Sequence, residues 1–167
     1  MIDVIKESIK KEIEALNSIL ENVNIKKIES FVIDPLKEKE LNLNLPKGES
    51  FIYIIKSIKP IEQQTIIKGI EEGKKKDFAM CRINDNFGVN KENCLYVGSS
   101  HDIVKRLQEH FGIGGYQKTY AMHLVKWWEY GPITIEIYSV GDNEYLQLFE
   151  DILWDHYKPI LGRQGKK

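Results

Sequence analysis

Cysteine and long apolar runs are scarce in this sequence. Its 167 residues include two cysteines, Cys81 and Cys94, and two thiols without close spacing indicate neither a disulfide framework nor a zinc site. Their apolar surroundings instead predict small buried side chains. No apolar run approaches the roughly 18 residues of a membrane-spanning helix, and the N-terminus lacks the apolar core of a secretory signal. These absences lead us to expect a cytoplasmic protein with no membrane partner.

Net charge is also nearly absent. The chain has 24 basic and 25 acidic residues, which leaves a net charge of −1. Such a balance gives no overall attraction to a polyanion, so any binding of nucleic acid must come from a local basic surface. Hydrophobic residues make up 42% of the sequence, which is ordinary for a globular protein with a core. The length suits one domain of roughly 100–150 residues plus an extension.

The N-terminal segment has a clear helical pattern. Over residues 2–23, apolar residues recur at spacings of three and four at Ile2, Ile5, Ile9, Ile13, Leu16 and Leu20. This periodicity predicts an amphipathic helix. Its narrow apolar stripe can either dock on the domain or form a homodimer seam with a second chain. Residues 24–47 are expected to be irregular, because Asp34-Pro35 and the stretch LNLNLPKG break the pattern. We therefore divide the chain into an N-terminal helical extension at 1–45 and a domain at 46–167.

Strands and helices are mixed in the remainder of the chain. Segments rich in β-forming residues predict strands at 51–58, 78–83, 94–98 and 133–140. Helical spacing predicts helices at 61–72, 99–111, 119–129 and 143–157. Ser99 is expected as the N-cap of its helix, with Asp102 completing a capping box, and Gly112 as the residue that ends it. The pattern predicts an α+β domain preceded by a helix.

Two tyrosines lie in predicted strands. Tyr53 is part of FIYIIKS, and Tyr96 is part of CLYVG. A period of two places Cys94, Tyr96 and Gly98 on one strand face, and Gly98 leaves room for another group to approach the backbone. Tyrosines are also favoured in strands for packing alone. By themselves, the two residues are compatible with either a site or a core.

Three further polar side chains lie at the margins of the apolar stripes of two predicted helices. Arg106 and His110 fall together at i and i+4 on the helix after Gly98, where an arginine can bind a phosphate through two N–H groups. Glu150 lies beside Trp154 on the last helix. A carboxylate there needs a cation or donors as partners, and a hard divalent ion can supply one. The alternatives are a salt-bridged surface arginine, a hydrogen-bonded histidine and an exposed glutamate.

The order of these residues resembles the GIY-YIG nuclease family. The matching pieces are Phe51-Ile52-Tyr53, Tyr96-Val97-Gly98, the helix from Ser100 through Arg106 to His110, and Glu150. The resemblance covers about residues 50–162, and its specificity comes from the order and separation of short motifs. It implies a small, mostly antiparallel sheet of three to four strands flanked by helices, here with an N-terminal helical extension.

The resemblance also implies a metal-dependent DNA endonuclease. Glu150 would bind one Mg²⁺ or Mn²⁺ ion on the scissile phosphate, without an organic cofactor. Arg106 would hold the phosphate, Tyr96 or Tyr53 would orient or deprotonate the attacking water, and His110 would share that work. Further DNA contacts are expected from Ser99, Ser100 and three lysines of an inserted segment, Lys74, Lys75 and Lys76. The alternative for these lysines is a solvated run.

Three positions depart from the family pattern. Phe51 replaces the first glycine of the family motif, Ser99 stands where some members have a basic residue, and Gly162 stands where many have an asparagine. The last two changes concern contacts with phosphate and substrate. They favour an alternative in which a domain of the same fold binds nucleic acid and cuts weakly or not at all.

Overall fold

The computed structural model describes residues 2–22, 24–37, 41–46, 48–141 and 144–165. The side chain of Leu20 and positions 23 and 143, which belong to the predicted first and last helices, lie outside the described residues. The elements, in chain order, are α1 (Ile2–Asn22), β1 (Ile25–Ile33), β2 (Ser50–Ser57), α2 (Gln63–Lys75), β3 (Cys94–Ser100), α3 (Ile103–Phe111), a 3₁₀ turn (Leu124–Lys126), β4 (Ile133–Val140) and α4 (Leu146–Tyr157). The expected α+β fold is confirmed, with α1 as the N-terminal helix.

The four strands form one antiparallel sheet in the order β1-β4-β2-β3. All eight residues of β2 are buried, because this strand has neighbours on both edges and helices over both faces. Tyr53 is paired with Ile137 of β4 and with Gly98 of β3. The sheet therefore places Tyr53 at its centre and β3 at its edge.

The core has two unequal layers, one on each face of the sheet. Phe51, Tyr53 and Ile55 belong to the large cluster that contains the apolar residues of α2 and α3. Ile52 and Ile54 belong to two smaller clusters that include residues of α4. Alternate side chains of one strand thus contact opposite helical layers, as the pleat requires. Phe51, which replaces a glycine of the family motif, is a core residue that is 3% exposed.

A β-bulge at Leu95 changes the direction of the following side chains. The pairing of β2 with β3 passes from Ile55 opposite Tyr96 to Lys56 opposite Cys94, which leaves Leu95 unpaired. Leu95 and Tyr96 both join the cluster under α3, whereas Cys94 packs on the α4 side with Ile54. The prediction that Cys94 and Tyr96 share a face was wrong, because an extra residue in one strand reverses the alternation.

The prediction of an irregular segment at 24–47 was also wrong for residues 25–33. These residues form β1, which pairs with β4 along its whole length. A second bulge leaves Ile28 without a partner between Lys27 and Glu29, so the apolar residues of β1 do not follow a period of two. The segment assigned to the extension therefore contributes an edge strand to the sheet.

Two other predicted elements do not form. Residues 78–83 make only isolated bridges, from Met80 to Ala121 and from Ile83 to Leu161. Residues 119–129 contain the 3₁₀ turn and no α-helix, because His123 has φ 48°, a left-handed conformation that interrupts a helix. Met122 and Leu124 are nevertheless buried. An apolar run with helical spacing here fills the core as an irregular segment.

The cap of α3 differs from the prediction. Ser99 belongs to β3, and the N-cap is Asp102, whose side chain accepts a hydrogen bond from the Lys105 amide at 3.1 Å. Gly112 ends α3 with φ 80°, which confirms the predicted end of the helix. Cys81 and Cys94 are free and buried, and burial raises the pKa of each thiol to about 12.

The apolar stripe of α1 is not covered by the domain. Its described residues are each at least half exposed: Ile2, Ile5, Ile9, Ile13 and Leu16. Near the end of the helix, Ile19 packs against the small cluster that contains Leu146 and Phe149. The helix therefore contacts the domain at its end and does not dock along its length. Within the described ranges, no helix is long and apolar enough to cross a membrane.

Candidate functional site

Two tyrosine rings lie side by side at the junction of β2 and β3. The rings of Tyr53 and Tyr96 stack with centroids 6.0 Å apart and an angle of 6° between their planes. Gly98 makes this approach possible, because a Cβ atom there would lie 2.6 Å from the Tyr53 hydroxyl oxygen. The bulge at Leu95 and the missing side chain at Gly98 therefore combine to bring the two hydroxyl groups to one place.

The guanidinium group of Arg106 joins the two hydroxyls. Its Nε donates to the Tyr53 hydroxyl at 3.3 Å and its Nη2 donates to the Tyr96 hydroxyl at 3.2 Å. Nη2 also donates to the Tyr120 carbonyl at 3.2 Å, and Nη1 donates to Glu109 at 2.7 Å. These four bonds use four of the five N–H groups that an arginine carries. One N–H on Nη1 is left for a further acceptor, so bidentate binding of a phosphate requires Arg106 to release a present partner.

His110 is fully buried beside the tyrosines and has one defined tautomer. Burial, and then the charge of Arg106, hold the pKa of His110 well below its ordinary value of 6.5, so the ring is neutral at physiological pH. The Met122 amide donates to Nδ1 at 3.4 Å, which places the ring proton on Nε2. Nε2 lies 2.9 Å from the Tyr53 hydroxyl. The Tyr53 oxygen therefore accepts hydrogen bonds from both His110 and Arg106.

The two tyrosines differ in access. Tyr53 is 0% exposed, whereas Tyr96 is 9% exposed and lines the cavity described below. Burial raises the pKa of Tyr53 well above 10.0, and it raises the pKa of Tyr96 as well, while the charge of Arg106 lowers both. Both side chains are therefore neutral in the free protein. Of the two, Tyr96 is the one that a bound molecule can contact.

Glu150 reaches the same region from the opposite face of the sheet. Ser99 pairs with Ile52 and so points toward α4, where its hydroxyl donates to Glu150 Oε2 at 2.5 Å. Burial raises the pKa of Glu150, and Ser99 and Arg106 lower it. Glu150 in turn raises the pKa of Tyr53 and of Tyr96. The carboxylate is thus bonded to the edge strand at Ser99, and it is not among the residues that line the cavity described below.

Glu150 fits one type of metal site, in which a single carboxylate is the ligand from the protein. Within the described ranges, no group of three or more histidine, cysteine, aspartate or glutamate side chains could hold a metal ion. Mg²⁺ needs no such group, because one carboxylate, water and substrate phosphate can complete its coordination. The partly buried carboxylate of Glu150, whose pKa burial raises, fits this arrangement because a cation would favour its charged form.

A cavity of about 810 Å³ opens beside Arg106 and Tyr96. Its wall consists of Lys74, Met80, Cys81, Arg82, Ile83, Tyr96, Arg106, Tyr120, Gly162 and Arg163. Four of these side chains are cationic and none is acidic. Lys74, Arg82 and Arg163 are exposed, and no carboxylate of the described ranges forms an ion pair with them. A chain of almost zero net charge therefore has a local basic surface next to the tyrosines.

The residues predicted to contact nucleic acid do not lie together in the structure. Of the three predicted lysines only Lys74 lines the cavity, whereas Lys75 is exposed outside it and Lys76 donates to the Lys126 carbonyl. Ser100 accepts a hydrogen bond from the Asp102 amide at the start of α3. Sequence reasoning missed Arg82, because the segment 78–83 was interpreted as an ordinary strand. It also missed Tyr120, which no motif marks.

Gly162 is required by the position of Tyr96. The glycine has φ +102°, and a Cβ atom there would lie 2.7 Å from the Tyr96 ring. Its amide donates to the Arg82 carbonyl at 2.9 Å, and this hydrogen bond links two residues of the cavity wall. An asparagine, as in many members of the family, does not fit here unless Tyr96 moves. The departure at this position is therefore linked to the packing of the tyrosine.

Comparison of the chain with protein-family models, curated proteins and solved structures gives no match. Fold and geometry define an α+β domain with an arginine held between two tyrosines at the wall of a basic cavity.

Proposed function

We propose that this protein is a metal-dependent DNA endonuclease of the GIY-YIG type. The observation that carries the proposal is the position of Arg106, which is bonded to both tyrosine hydroxyls and lies in the wall of a cavity with three further cations. A half-buried, oriented guanidinium beside a basic cavity suits a phosphodiester, whose charge increases in the transition state of hydrolysis. Glu150, which the Ser99 hydroxyl contacts at the end of the edge strand, would supply the carboxylate for one Mg²⁺ or Mn²⁺ ion.

The hydrogen bonds divide the work among the side chains. Arg106 contacts the phosphate through its remaining N–H, and Arg82 and Arg163 are the cavity cations available for adjacent phosphates. Tyr96 orients the attacking water, because Tyr96, unlike Tyr53, lines the cavity. Tyr53 and His110 are positioning residues that hold the guanidinium in place. A divalent ion on Glu150 would neutralise charge on the phosphate and on the leaving oxygen.

A second candidate is a DNA-binding domain of the same fold that does not cut. Both tyrosines have a raised pKa, so neither is a base in the free protein. Within the described part of the chain, Glu150 belongs to no group of three or more histidine, cysteine, aspartate or glutamate side chains that could hold a metal. The cavity cations serve binding in either case. Cleavage, and not binding, distinguishes the two candidates.

The test is cleavage of supercoiled plasmid DNA by purified protein with Mg²⁺ or Mn²⁺. We expect cutting by the wild type and a loss of about 100-fold or more in Arg106→Lys, because an ammonium group cannot replace the oriented guanidinium. Lys105→Ala is the matched control, since Lys105 is an exposed cation on the same helix, and it should cut like the wild type. DNA binding without cutting by the wild type selects the binding domain instead.

We also propose that α1 mediates a homodimer. Its stripe of half-exposed isoleucine and leucine residues has the spacing of three and four that two paired helices share. Both lysines and glutamates flank the stripe, so two copies can bring opposite charges together. At 21 residues, the helix has the length of about three heptads.

A further inference from the structure

Tyr120 is an exposed aromatic side chain on a fixed stretch of backbone. Its ring is 74% exposed, while its carbonyl accepts a hydrogen bond from Arg106 at 3.2 Å. The next residue, Ala121, is fully buried and exchanges backbone hydrogen bonds with Ala79 and Cys81. The backbone of Tyr120 is therefore held beside the guanidinium, while its side chain is not used in the core. Binding to its face would cost little additional ordering of the backbone.

The cavity that Tyr120 lines has two chemically different parts. Met80, Cys81 and Ile83 provide an apolar surface, and Cys81 is 4% exposed with a thiol that burial keeps protonated. Lys74, Arg82 and Arg163 provide exposed cations. An apolar surface and an aromatic face suit a nucleobase, and the cations suit the phosphates on either side of it. The combination of a basic groove with an exposed aromatic ring is typical of binding to unpaired strands.

The size and position of the cavity also favour an unpaired nucleotide. Its volume of about 810 Å³ lies in the range of roughly 300–1,000 Å³ that encloses small organic ligands. A base inside a duplex offers only its edge to a protein, because its faces are covered by the neighbouring base pairs. Stacking on Tyr120 therefore requires the base to leave the duplex or to lie in a single strand.

We propose that the cavity binds one unpaired nucleotide of a DNA strand, with its base on Tyr120 and its phosphate toward Arg106, so that the preferred substrate has an unpaired region at the cleaved position. The inference rests on the proposed function for the identity of the ligand as DNA. It adds a substrate class, namely single strands and junctions with unpaired nucleotides, and a residue that selects it. Tyr120 is a specificity-determining residue in this account.

The test measures binding without cleavage. Fluorescence anisotropy of the full chain, in EDTA, compares a labelled oligothymidine of about 15 nucleotides, a length within the range of known single-strand sites, with a duplex of equal length. We expect tighter binding of the single strand. Tyr120→Ala should weaken single-strand binding about tenfold, as expected for loss of one stacked base, and leave duplex binding unchanged. Tyr120→Phe should bind like the wild type, because stacking needs the ring and not the hydroxyl.

Two controls make the result specific. Tyr130→Ala removes another exposed tyrosine, 43% exposed and outside the cavity wall, and should bind both DNAs normally. Circular dichroism should show an unchanged fold for Tyr120→Ala, since most of that ring is in solvent. Thymidine monophosphate in excess should displace the oligonucleotide poorly, because it lacks the neighbouring phosphates that the cavity cations bind.

Several outcomes would overturn the inference. The inference fails if Tyr120→Ala binds the single strand as tightly as the wild type does, or if the wild type binds the duplex more tightly than the single strand. It also fails if neither DNA binds, or if thymidine monophosphate displaces the oligonucleotide completely. The result does not depend on catalysis. Protein that binds single strands through Tyr120 but cuts nothing with Mg²⁺ or Mn²⁺ would refute the endonuclease, and with it the cleaved position, and would retain the site for an unpaired nucleotide.

Discussion

Arg106 lies at the centre of the candidate site because its neighbours leave it little freedom. Tyr53 and Tyr96 accept from two of its nitrogens, and Glu109 accepts from the third. His110 donates to Tyr53 in a tautomer that the Met122 amide determines. Removing one acceptor would leave buried donors unsatisfied, at a cost of about 1–3 kcal/mol each. The five side chains are therefore expected to behave as one unit under mutation.

Glycine at position 162 is predicted to be more sensitive to substitution than its backbone angle explains. Gly162→Ala should lower the free energy of unfolding by clearly more than Gly115→Ala, which should cost about 1–2 kcal/mol for the left-handed conformation alone. Both glycines have positive φ, but a Cβ atom meets nothing within 4 Å at Gly115 and meets the Tyr96 ring at Gly162. Urea denaturation measures both. Equal losses would show that Tyr96 does not require the glycine.

Much of this residue-scale arrangement was predictable, and the rest depends on contacts distant in sequence. The order of motifs predicted one site from Tyr53, Tyr96, Arg106 and Glu150, with His110 beside them. Hydrogen bonds join Tyr53, Tyr96, Arg106 and His110, whereas Glu150 contacts Ser99; the catalytic roles stay predictions. The order of motifs did not show that Ser99 holds Glu150, because Ser99 at the end of a strand resembles a helix cap. The positions of Tyr120 and Arg82 follow from backbone pairing of an irregular segment, which leaves no periodic signal.

The regular strand at 133–140 was predicted well, whereas the strands with bulges were not, and the helix predicted at 119–129 does not form. The strand at 133–140 has the predicted bounds, and its burial alternates over seven residues. β1 was missed because its bulge at Ile28 disrupts the alternation. In β3, the bulge at Leu95 reverses the alternation of side chains, so Tyr96 lies on the same face as Tyr53. The geometry of the site thus depends on an irregularity that residue types alone do not indicate.

Two substitutions at the start of α3 test whether Asp102 or Ser99 caps the helix. Asp102→Ala should lower the free energy of unfolding by about 1 kcal/mol, because its side chain caps the helix through the Lys105 amide. Ser99→Ala should change stability less and should weaken metal-dependent activity, since its hydroxyl contacts Glu150. Urea denaturation and plasmid cleavage are measured on both variants. A larger stability loss in Ser99→Ala, with activity intact, would restore Ser99 as the cap.

At the scale of the whole molecule, charge and apolar surface are distributed unevenly. A chain with net charge −1 concentrates four cations in one cavity wall, so attraction to DNA is local and should fall with salt. On α1, apolar residues are exposed along the helix. In the proposals above, the first feature serves the binding of DNA and the second serves the homodimer.

The assembly of two chains through α1 is expected to be sensitive to one charge. Ile9→Glu should convert a dimer into a monomer, because it places a carboxylate in the apolar seam. Lys11→Glu, on the other side of the helix by its spacing, should leave the dimer intact. Light scattering on the full chain measures the mass. A monomeric wild type, or a dimeric Ile9→Glu, would exclude this seam.

The most direct test of the nuclease account concerns Glu150 and its neighbour Asp151. Plasmid cleavage is measured for the wild type, Glu150→Gln and Asp151→Asn, with Mg²⁺, with Mn²⁺ and with EDTA. Each variant replaces one carboxylate of α4 by an amide of the same shape, and Asp151 pairs with Gln147 rather than with Ser99. If the protein is a nuclease of this type, we expect metal-dependent cutting by the wild type and by Asp151→Asn, and no cutting by Glu150→Gln. Full activity of Glu150→Gln, or a wild type that never cuts, would contradict it.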